Sequence, residues 1–137
     1  MRNLLFSTIL FWFPVFAFSQ ARFYVSQAAT NGAETGATWA DAFTDLQQAI
    51  SAVSAGDTLW VAAGIYKPTA TTDRTASFVL KDGVALYGGF FGTEVALSER
   101  DIDLHKTVLS GDIGVPGVRT DNSYHVVRGK ALGSATL

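Results

Sequence analysis

The run GDTLWVAAG at residues 56–64 decides the fold class of this chain. Residues from Thr58 to Val61 are β-branched or large and apolar, and a glycine stands at each end of the run, as is typical of a short strand between turns. If Leu59 and Val61 point into a core, Trp60 points outward, because successive side chains of a strand lie on opposite faces. The run therefore predicts a β-rich protein built from short strands.

Similar strand-like runs follow along the chain. They occupy residues 77–80, 84–87, 107–110, 124–127 and 135–137. With Leu59, Val84, Val108 and Val126 as anchors, the runs stand roughly 18 to 25 residues apart, and such long periods are typical of solenoids. Strands of sandwiches usually recur every 8–12 residues. The spacing favours a solenoid, and an ordinary β-sandwich or barrel is the alternative.

One helix is predicted between residues 38 and 56, because apolar side chains recur there every three or four residues. The apolar stripe consists of Trp39, Phe43, Leu46, Ile50 and Val53. Thr38 and Asp41 form an N-cap pattern of the capping-box type, and Gly56 supplies a stop. An amphipathic helix ahead of the first strand would cover the open end of a solenoid, where core and strand edges are otherwise exposed.

The first 19 residues predict a secretory signal peptide. Arg2 gives a short positive region, residues 4–18 form an apolar core, and AFS at residues 17–19 is a cleavage pattern before Gln20. The alternative is an uncleaved membrane anchor, but a bilayer span needs about 20 apolar residues. The apolar core is shorter than that and contains Pro14. We therefore expect a secreted or cell-surface protein with no membrane span after cleavage.

Composition excludes several classes of function. The chain has no cysteine, so it has no disulfide framework, no cysteine-ligated zinc and no thiolate nucleophile. Its 137 residues allow one domain, and its formal net charge of −2 argues against nucleic acid as a partner.

Several motifs together resemble the N-terminal region of exported bacterial right-handed parallel β-helix proteins of the pectin-lyase-like superfamily. They lie in family order at residues 24–26, 38–47, 56–68, 78–90, 108–112 and 121–127. The resemblance implies an all-β right-handed parallel β-helix, or solenoid, with an N-terminal amphipathic capping helix. It also implies an N-terminal fragment truncated after the first coils. The implied organisation is a signal peptide at 1–19, a strand, loop and capping helix at 20–56, and the first coils at 57–137.

The expected function is a structural or glycan-binding module of the cell surface, monomeric, with polysaccharide or cell-envelope glycans as partners. The alternative is the N-terminal part of a polysaccharide lyase or glycoside hydrolase. In the resembled superfamily a lyase would need Ca²⁺ and a Lys or Arg base; otherwise no cofactor is expected. A free-standing carbohydrate-binding sandwich is a third possibility.

No catalytic, cofactor-binding or metal site is predicted, although candidates for lyase chemistry exist. The acidic candidates are Asp101, Asp103, Asp112 and Asp121, and the basic ones are Arg100, Lys106, Arg119 and Arg128. Asp57, Asp82, Asp112 and Asp121 stand beside Gly or Asn, so they are better interpreted as turn residues that bond their own backbone. His105 and His125 are too isolated for a metal site.

Aromatic side chains are the remaining functional signal, because exposed rings can stack on sugar faces. Those on or beside the predicted strands are Trp60, Tyr66, Tyr87, Phe90, Phe91 and Tyr124. We expect an outward-facing Trp60 to pack beneath the long insertion at residues 88–106, and a sugar platform is the alternative.

Overall fold

A computed structural model describes residues 20–129 of the chain. The predicted signal peptide at 1–19 and the predicted strand at 135–137 lie outside the described residues. Among the described residues, no helix is long and apolar enough to cross a membrane.

Short strands make up most of the regular structure. Strands β1 to β7 are Arg22–Val25, Thr58–Ala62, Gly64–Tyr66, Phe78–Leu80, Ala85–Phe90, Thr107–Leu109 and Val127–Gly129. The helix α1 is Leu46–Ala52, and two short 3-10 helices are Leu97–Glu99 and Arg119–Asp121. Thr58–Ala62 lies within the run of residues that predicted a strand there.

The strands pair in parallel, in three small sheets. The first sheet has the order β1-β2-β5, and the other two are the pairs β3-β6 and β4-β7. In the first sheet Leu59 is the partner of Leu86, in the second Ile65 is the partner of Val108, and in the third Phe78 is the partner of Val127. Each sheet therefore joins segments that are far apart in the sequence.

The prediction of an all-β solenoid with a capping helix is wrong. The described residues form a small mixed α/β arrangement of short parallel pairs and one helix. A solenoid stacks its repeats on shared ladders, but the four anchors do not share one. Leu59 belongs to the first sheet and Val108 to the second, while Val84 and Val126 lie just outside the strands. The spacing of these anchors along the chain therefore does not indicate which strands pair.

The predicted helix start is also wrong, because α1 begins at Leu46. Asp45 is its N-cap and accepts a hydrogen bond from the Gln48 backbone N–H at 2.7 Å. Thr38 and Asp41 do bond to each other, with the Asp41 N–H donating to Thr38 Oγ1 at 3.1 Å, but they hold a turn. Phe43 lies in an isolated parallel bridge with Val25, so backbone pairing to β1 replaces helix at this position.

The hydrophobic core lies between α1 and the three sheets. Leu46, Ala49 and Ile50 face it from the helix, and Leu59 and Val61 face it from β2. Other fully or nearly buried members are Val25, Phe43, Val53, Tyr66, Phe78, Leu80, Val84 and Leu86. The core thus uses the predicted inward face of β2, and Trp60, on the other face, has a separate environment.

Candidate functional site

A second apolar cluster lies on the face of the first sheet opposite the core. Trp60 on β2 stacks on Phe90 on β5, and Tyr24 on β1 meets Trp60 edge-on, with ring centroids 5.9 Å apart. Trp39, from the loop before α1, contacts both Tyr24 at 4.6 Å and Phe90 at 5.7 Å between centroids. We call these four residues the aromatic cluster.

Trp60 is enclosed within this cluster and is not a free platform for a sugar. Its exposed fraction is 2%, and the Arg22 guanidinium carbon lies 3.8 Å from its ring centroid. Arg22 also donates a hydrogen bond to the Val95 carbonyl at 3.1 Å, which ties the cluster to the 88–106 insertion. Trp60 is therefore packed and not exposed, and the insertion contacts it through the Phe90 ring and, by way of Arg22, through the Val95 carbonyl.

An open groove of about 770 Å³ lies beside the aromatic cluster. It combines two aromatic side chains, Trp39 and Phe91, with small polar and apolar ones. The other lining residues are Ser26, Ala28, Ala29, Thr30, Asn31, Ala40, Gly92 and Thr93. Phe91 is 66% exposed, in contrast to its buried neighbour Phe90. We call this feature the Trp39–Phe91 groove.

One wall of the groove is the loop between β1 and α1, which backbone hydrogen bonds hold in place. Ser26 donates from its N–H to the Phe43 carbonyl at 2.8 Å, and the Gly36 N–H donates to the Asp41 carbonyl at 2.8 Å. Gly36 has φ +72°, and a Cβ there would lie 2.5 Å from the Phe43 ring, so only glycine fits. The wall is therefore positioned by the fold before any ligand arrives.

Glu94 holds the opposite wall and joins it to the first. Its carboxylate accepts hydrogen bonds from the backbone N–H groups of Phe91 at 2.6 Å and of Gly92 and Thr93 at 2.9 Å. Its carbonyl accepts the Trp39 indole N–H at 2.9 Å. Burial alone would raise the pKa of Glu94, but the backbone donors outweigh it and hold that pKa below its ordinary value.

The chemistry of the groove is that of a binding surface for a polar ligand with an apolar face. Trp39 and Phe91 offer ring surface, and Asn31 can both donate and accept hydrogen bonds. Thr30 and Thr93 bring hydroxyl groups to the same groove. Apolar walls with a few placed polar groups are the usual composition of small-molecule sites.

Three of the four acidic candidates accept hydrogen bonds from nearby backbone N–H groups, and the fourth, Asp103, is exposed beside Asp101. Asp101 accepts hydrogen bonds from the N–H groups of Asp103 at 3.0 Å and Leu104 at 2.9 Å. Asp112 accepts from the Gly117 N–H and Asp121 from the Val115 N–H, at 3.0 and 2.7 Å. These carboxylates serve as turn residues, as predicted for Asp112 and Asp121. Asp57 likewise accepts from the Ala21 and Ser54 N–H groups.

The structure brings two of the four basic candidates together. Arg100 and Lys106 both line a smaller groove of about 310 Å³ beside β5 and β6. Arg128, in contrast, donates to Ser77 Oγ and to the Thr75 carbonyl, both at 2.9 Å, and so braces the loop before β4. Arg119 is exposed in the second 3-10 helix, away from these grooves.

The remaining candidates have structural surroundings. His105 packs against the Phe91 ring with centroids 5.3 Å apart, and His125 is exposed just before β7. Tyr66 is buried in the core, and the exposed Tyr124 ring lies 4.3 Å from the Arg74 guanidinium carbon. Within residues 20–129, no three His, Asp or Glu side chains form a group that could hold a metal ion.

Sequence reasoning missed the groove because it placed Trp39 in a buried helical stripe. In the structure Trp39 is half-buried and lines the groove. Asn31 and Thr30 lay in a stretch that predicted only a loop. One signal in the sequence could have shown this. Asp45 is a favoured N-cap residue directly before Leu46, so the helix could be expected to begin at Leu46 and to leave Trp39 outside it.

Comparison with known proteins identifies no relative: no family model, no curated protein and no solved structure matches this chain significantly. The resemblance to pectin-lyase-like proteins therefore stays a prediction.

Proposed function

We propose that this protein is an exported carbohydrate-binding module that holds a sugar in the Trp39–Phe91 groove. The observation that carries the proposal is the pairing of a half-buried Trp39 with a strongly exposed Phe91 across an open groove. Single exposed hydrophobic side chains are common, so the proposal depends on the combination of Phe91 with Trp39 and with polar side chains in one groove.

The geometry suits a neutral sugar in three respects. Trp39 and Phe91 can contact the apolar C–H face of a sugar ring, and the Asn31 amide and the threonine hydroxyls can bond its hydroxyl groups. The groove is open, so an oligosaccharide could extend beyond it at either end. Its walls are tied down by Glu94 and by the loop hydrogen bonds, which lowers the entropy cost of binding.

Export is the second part of the proposal. It rests on the positive, apolar and small-residue pattern of residues 1–19, and a chain without cysteine is compatible with an oxidising compartment. A secreted or cell-surface location would place the groove where polysaccharide and cell-envelope glycans occur. Fractionation of the expressing cells, with sequencing of the mature N-terminus, tests this part; a start at or near Gln20 supports it and retention of Met1 in the cytosol contradicts it.

The binding experiment uses the full chain and a panel of neutral oligosaccharides, with affinity measured by isothermal titration calorimetry. We expect Phe91→Ala to weaken binding about tenfold, the factor that 1.4 kcal/mol produces. Asn31→Ala should also weaken it, because the sugar hydroxyl would lose its partner.

The matched control is Tyr124→Ala, which removes another exposed ring that lies outside the groove. We expect this variant to bind as the unmodified chain does. The proposal is overturned if no neutral oligosaccharide binds, or if Phe91→Ala and Tyr124→Ala bind equally well.

A further inference from the structure

The second groove has a different chemistry from the first. It lies beside the end of β5 and the start of β6 and is lined by Gly88, Gly89, Ile102, Thr107 and Val108 together with the side chains of Arg100 and Lys106. Both cations are exposed, and the groove is open to solvent. The two glycines let the 100–107 segment lie close against this part of β5.

The backbone around the groove is held firmly. The Asp101 N–H donates to the Gly89 carbonyl at 2.8 Å, and the Gly64 N–H donates to the Lys106 carbonyl at 3.1 Å. Thr107 Oγ1 accepts the Gly89 N–H at 3.1 Å. The segment from Arg100 to Lys106 is therefore anchored at both ends to strands, and its two cations are presented from fixed backbone positions.

Glycine is required at both positions of β5 for this arrangement. A Cβ at Gly88 would lie 2.7 Å from the Thr107 Cβ, and one at Gly89 would lie 2.7 Å from Ile102 Cγ2. Gly89 also has φ +92°, a conformation that L side chains rarely adopt. The close approach of the 100–107 segment to β5 is thus built into the sequence.

The charges of Arg100 and Lys106 are not neutralised by ion pairs among residues 20–129. The Arg100 guanidinium carbon lies 5.3 Å from the Tyr87 ring centroid, a contact that leaves its N–H groups available. The same segment also carries Asp101 and Asp103, but neither residue lines the groove, and Asp101 Oδ1 accepts the N–H groups of Asp103 and Leu104. Two available cations on one fixed groove attract an anionic group, and Arg binds the oxygens of such a group in a bidentate manner.

We propose that this groove is an anion-binding site in which Arg100 and Lys106 bind a carboxylate or sulfate group of a ligand. The site is separate from the Trp39–Phe91 groove and does not depend on sugar binding there. The apolar side chains of Ile102 and Val108 would contact the uncharged part of the ligand beside its anionic group.

The test is an NMR titration of the full chain with sodium sulfate, compared with sodium chloride at the same ionic strength. We expect sulfate to shift the backbone amides of Gly88, Gly89 and Thr107 in a saturable manner. The double variant Arg100→Gln/Lys106→Gln should lose these shifts, and each single variant should weaken binding several-fold.

Arg119→Gln is the matched control, because it removes an exposed arginine outside the groove. It should bind sulfate as the unmodified chain does. Repetition with a hexuronate oligosaccharide and a sulfated oligosaccharide identifies the source of the anion, and binding of either one supports the site. Thermal melting of each variant checks its fold. If the double variant melts at a lower temperature than the unmodified chain, the sulfate affinities of the single variants and the positions of the shifted amides decide whether the site exists.

The proposal is overturned if sulfate and both charged oligosaccharides fail to bind, if the shifts are spread over all basic residues, or if Arg119→Gln weakens binding equally. Neutral oligosaccharide binding by the double variant is measured in parallel. It should be unchanged, so failure of this site and failure of the Trp39–Phe91 groove give different results.

Discussion

Trp60 and Phe90 stack with ring centroids 4.5 Å apart and ring planes inclined by 11°, which joins β2 to β5 on the face opposite the core. Both side chains are almost fully buried, with exposed fractions of 2% and 0%. Replacement of either by alanine leaves a large cavity. We expect Phe90→Ala to lower the free energy of unfolding by about 3–5 kcal/mol.

Urea denaturation measures this loss, and the adjacent Phe91 supplies the control. Phe91 is largely exposed, so Phe91→Ala should change the free energy of unfolding by about 0.5 kcal/mol or less. Equal losses for the two neighbouring phenylalanines would contradict the described burial of the aromatic cluster.

The N-cap of α1 gives a test of where the helix begins. Asp45→Ala removes the acceptor for the Gln48 N–H and should lower the free energy of unfolding by about 1 kcal/mol. Asp45→Asn should retain most of the stability, because asparagine caps about as well. Denaturation monitored by circular dichroism measures both variants. Thr38→Ala should leave hydrogen exchange in α1 unchanged, and faster exchange there would favour a helix that starts at residue 38.

Acid should loosen the wall of the Trp39–Phe91 groove through Glu94. The pKa of Glu94 is lower in the folded protein than its ordinary value of 4.5. The ionised carboxylate therefore contributes fully to stability above pH 4.5, and this contribution is lost as the pH falls through the lower pKa of the folded state. Hydrogen exchange of the Phe91, Gly92 and Thr93 amides should therefore accelerate in acid beyond the intrinsic pH dependence. Glu94→Gln should remove this extra acceleration; if it persists, another group controls the wall.

Tyr66 should ionise at a higher pH than an unburied tyrosine does. Burial raises its pKa to about 12, although a backbone hydrogen bond from Gln27 opposes the shift, and its hydroxyl donates to the Ala62 carbonyl at 3.0 Å. Because the unfolded value is 10.0, the unfolded chain releases this proton first, and stability falls as the pH rises from 10 towards 12. Absorbance titration measures the step, and Tyr66→Phe should abolish it. Ionisation of Tyr66 near pH 10 in the folded chain would contradict its burial.

Local patterns predicted where strands form but not how they pair. Glycine turns and β-branched residues mark Thr58–Ala62, Phe78–Leu80 and Thr107–Leu109 in the sequence, and each is a strand in the structure. The strand Gly64–Tyr66 was missed because it begins at a glycine, which marks the end of the preceding run in the sequence. Pairing depends on which distant segments share a core, and spacing between runs carries no direct information about that.

The groove illustrates the same limit at the level of single residues. Trp39 and Phe43 lie four residues apart, which fits a helix, yet Phe43 bridges to Val25 and Trp39 packs on Tyr24. Tertiary contacts to β1 override the local period here. The bond between the Trp39 indole and the Glu94 carbonyl could not be predicted either, because it joins segments far apart in the chain.

The parallel pairing also determines how this chain reaches its native state. In β3-β6 and β4-β7 the partners are separated by other strands and by long loops, so each pair forms only after a large loop has closed. The chain loses entropy on loop closure before the stabilising strand contacts form. Folding that depends on such non-local pairing is typically slow, in the millisecond-to-second range. During that interval the unpaired edges of β3 and β4 are open to other chains. The same topology that fixes the two grooves therefore makes this protein a slow folder that is exposed to aggregation before its sheets close.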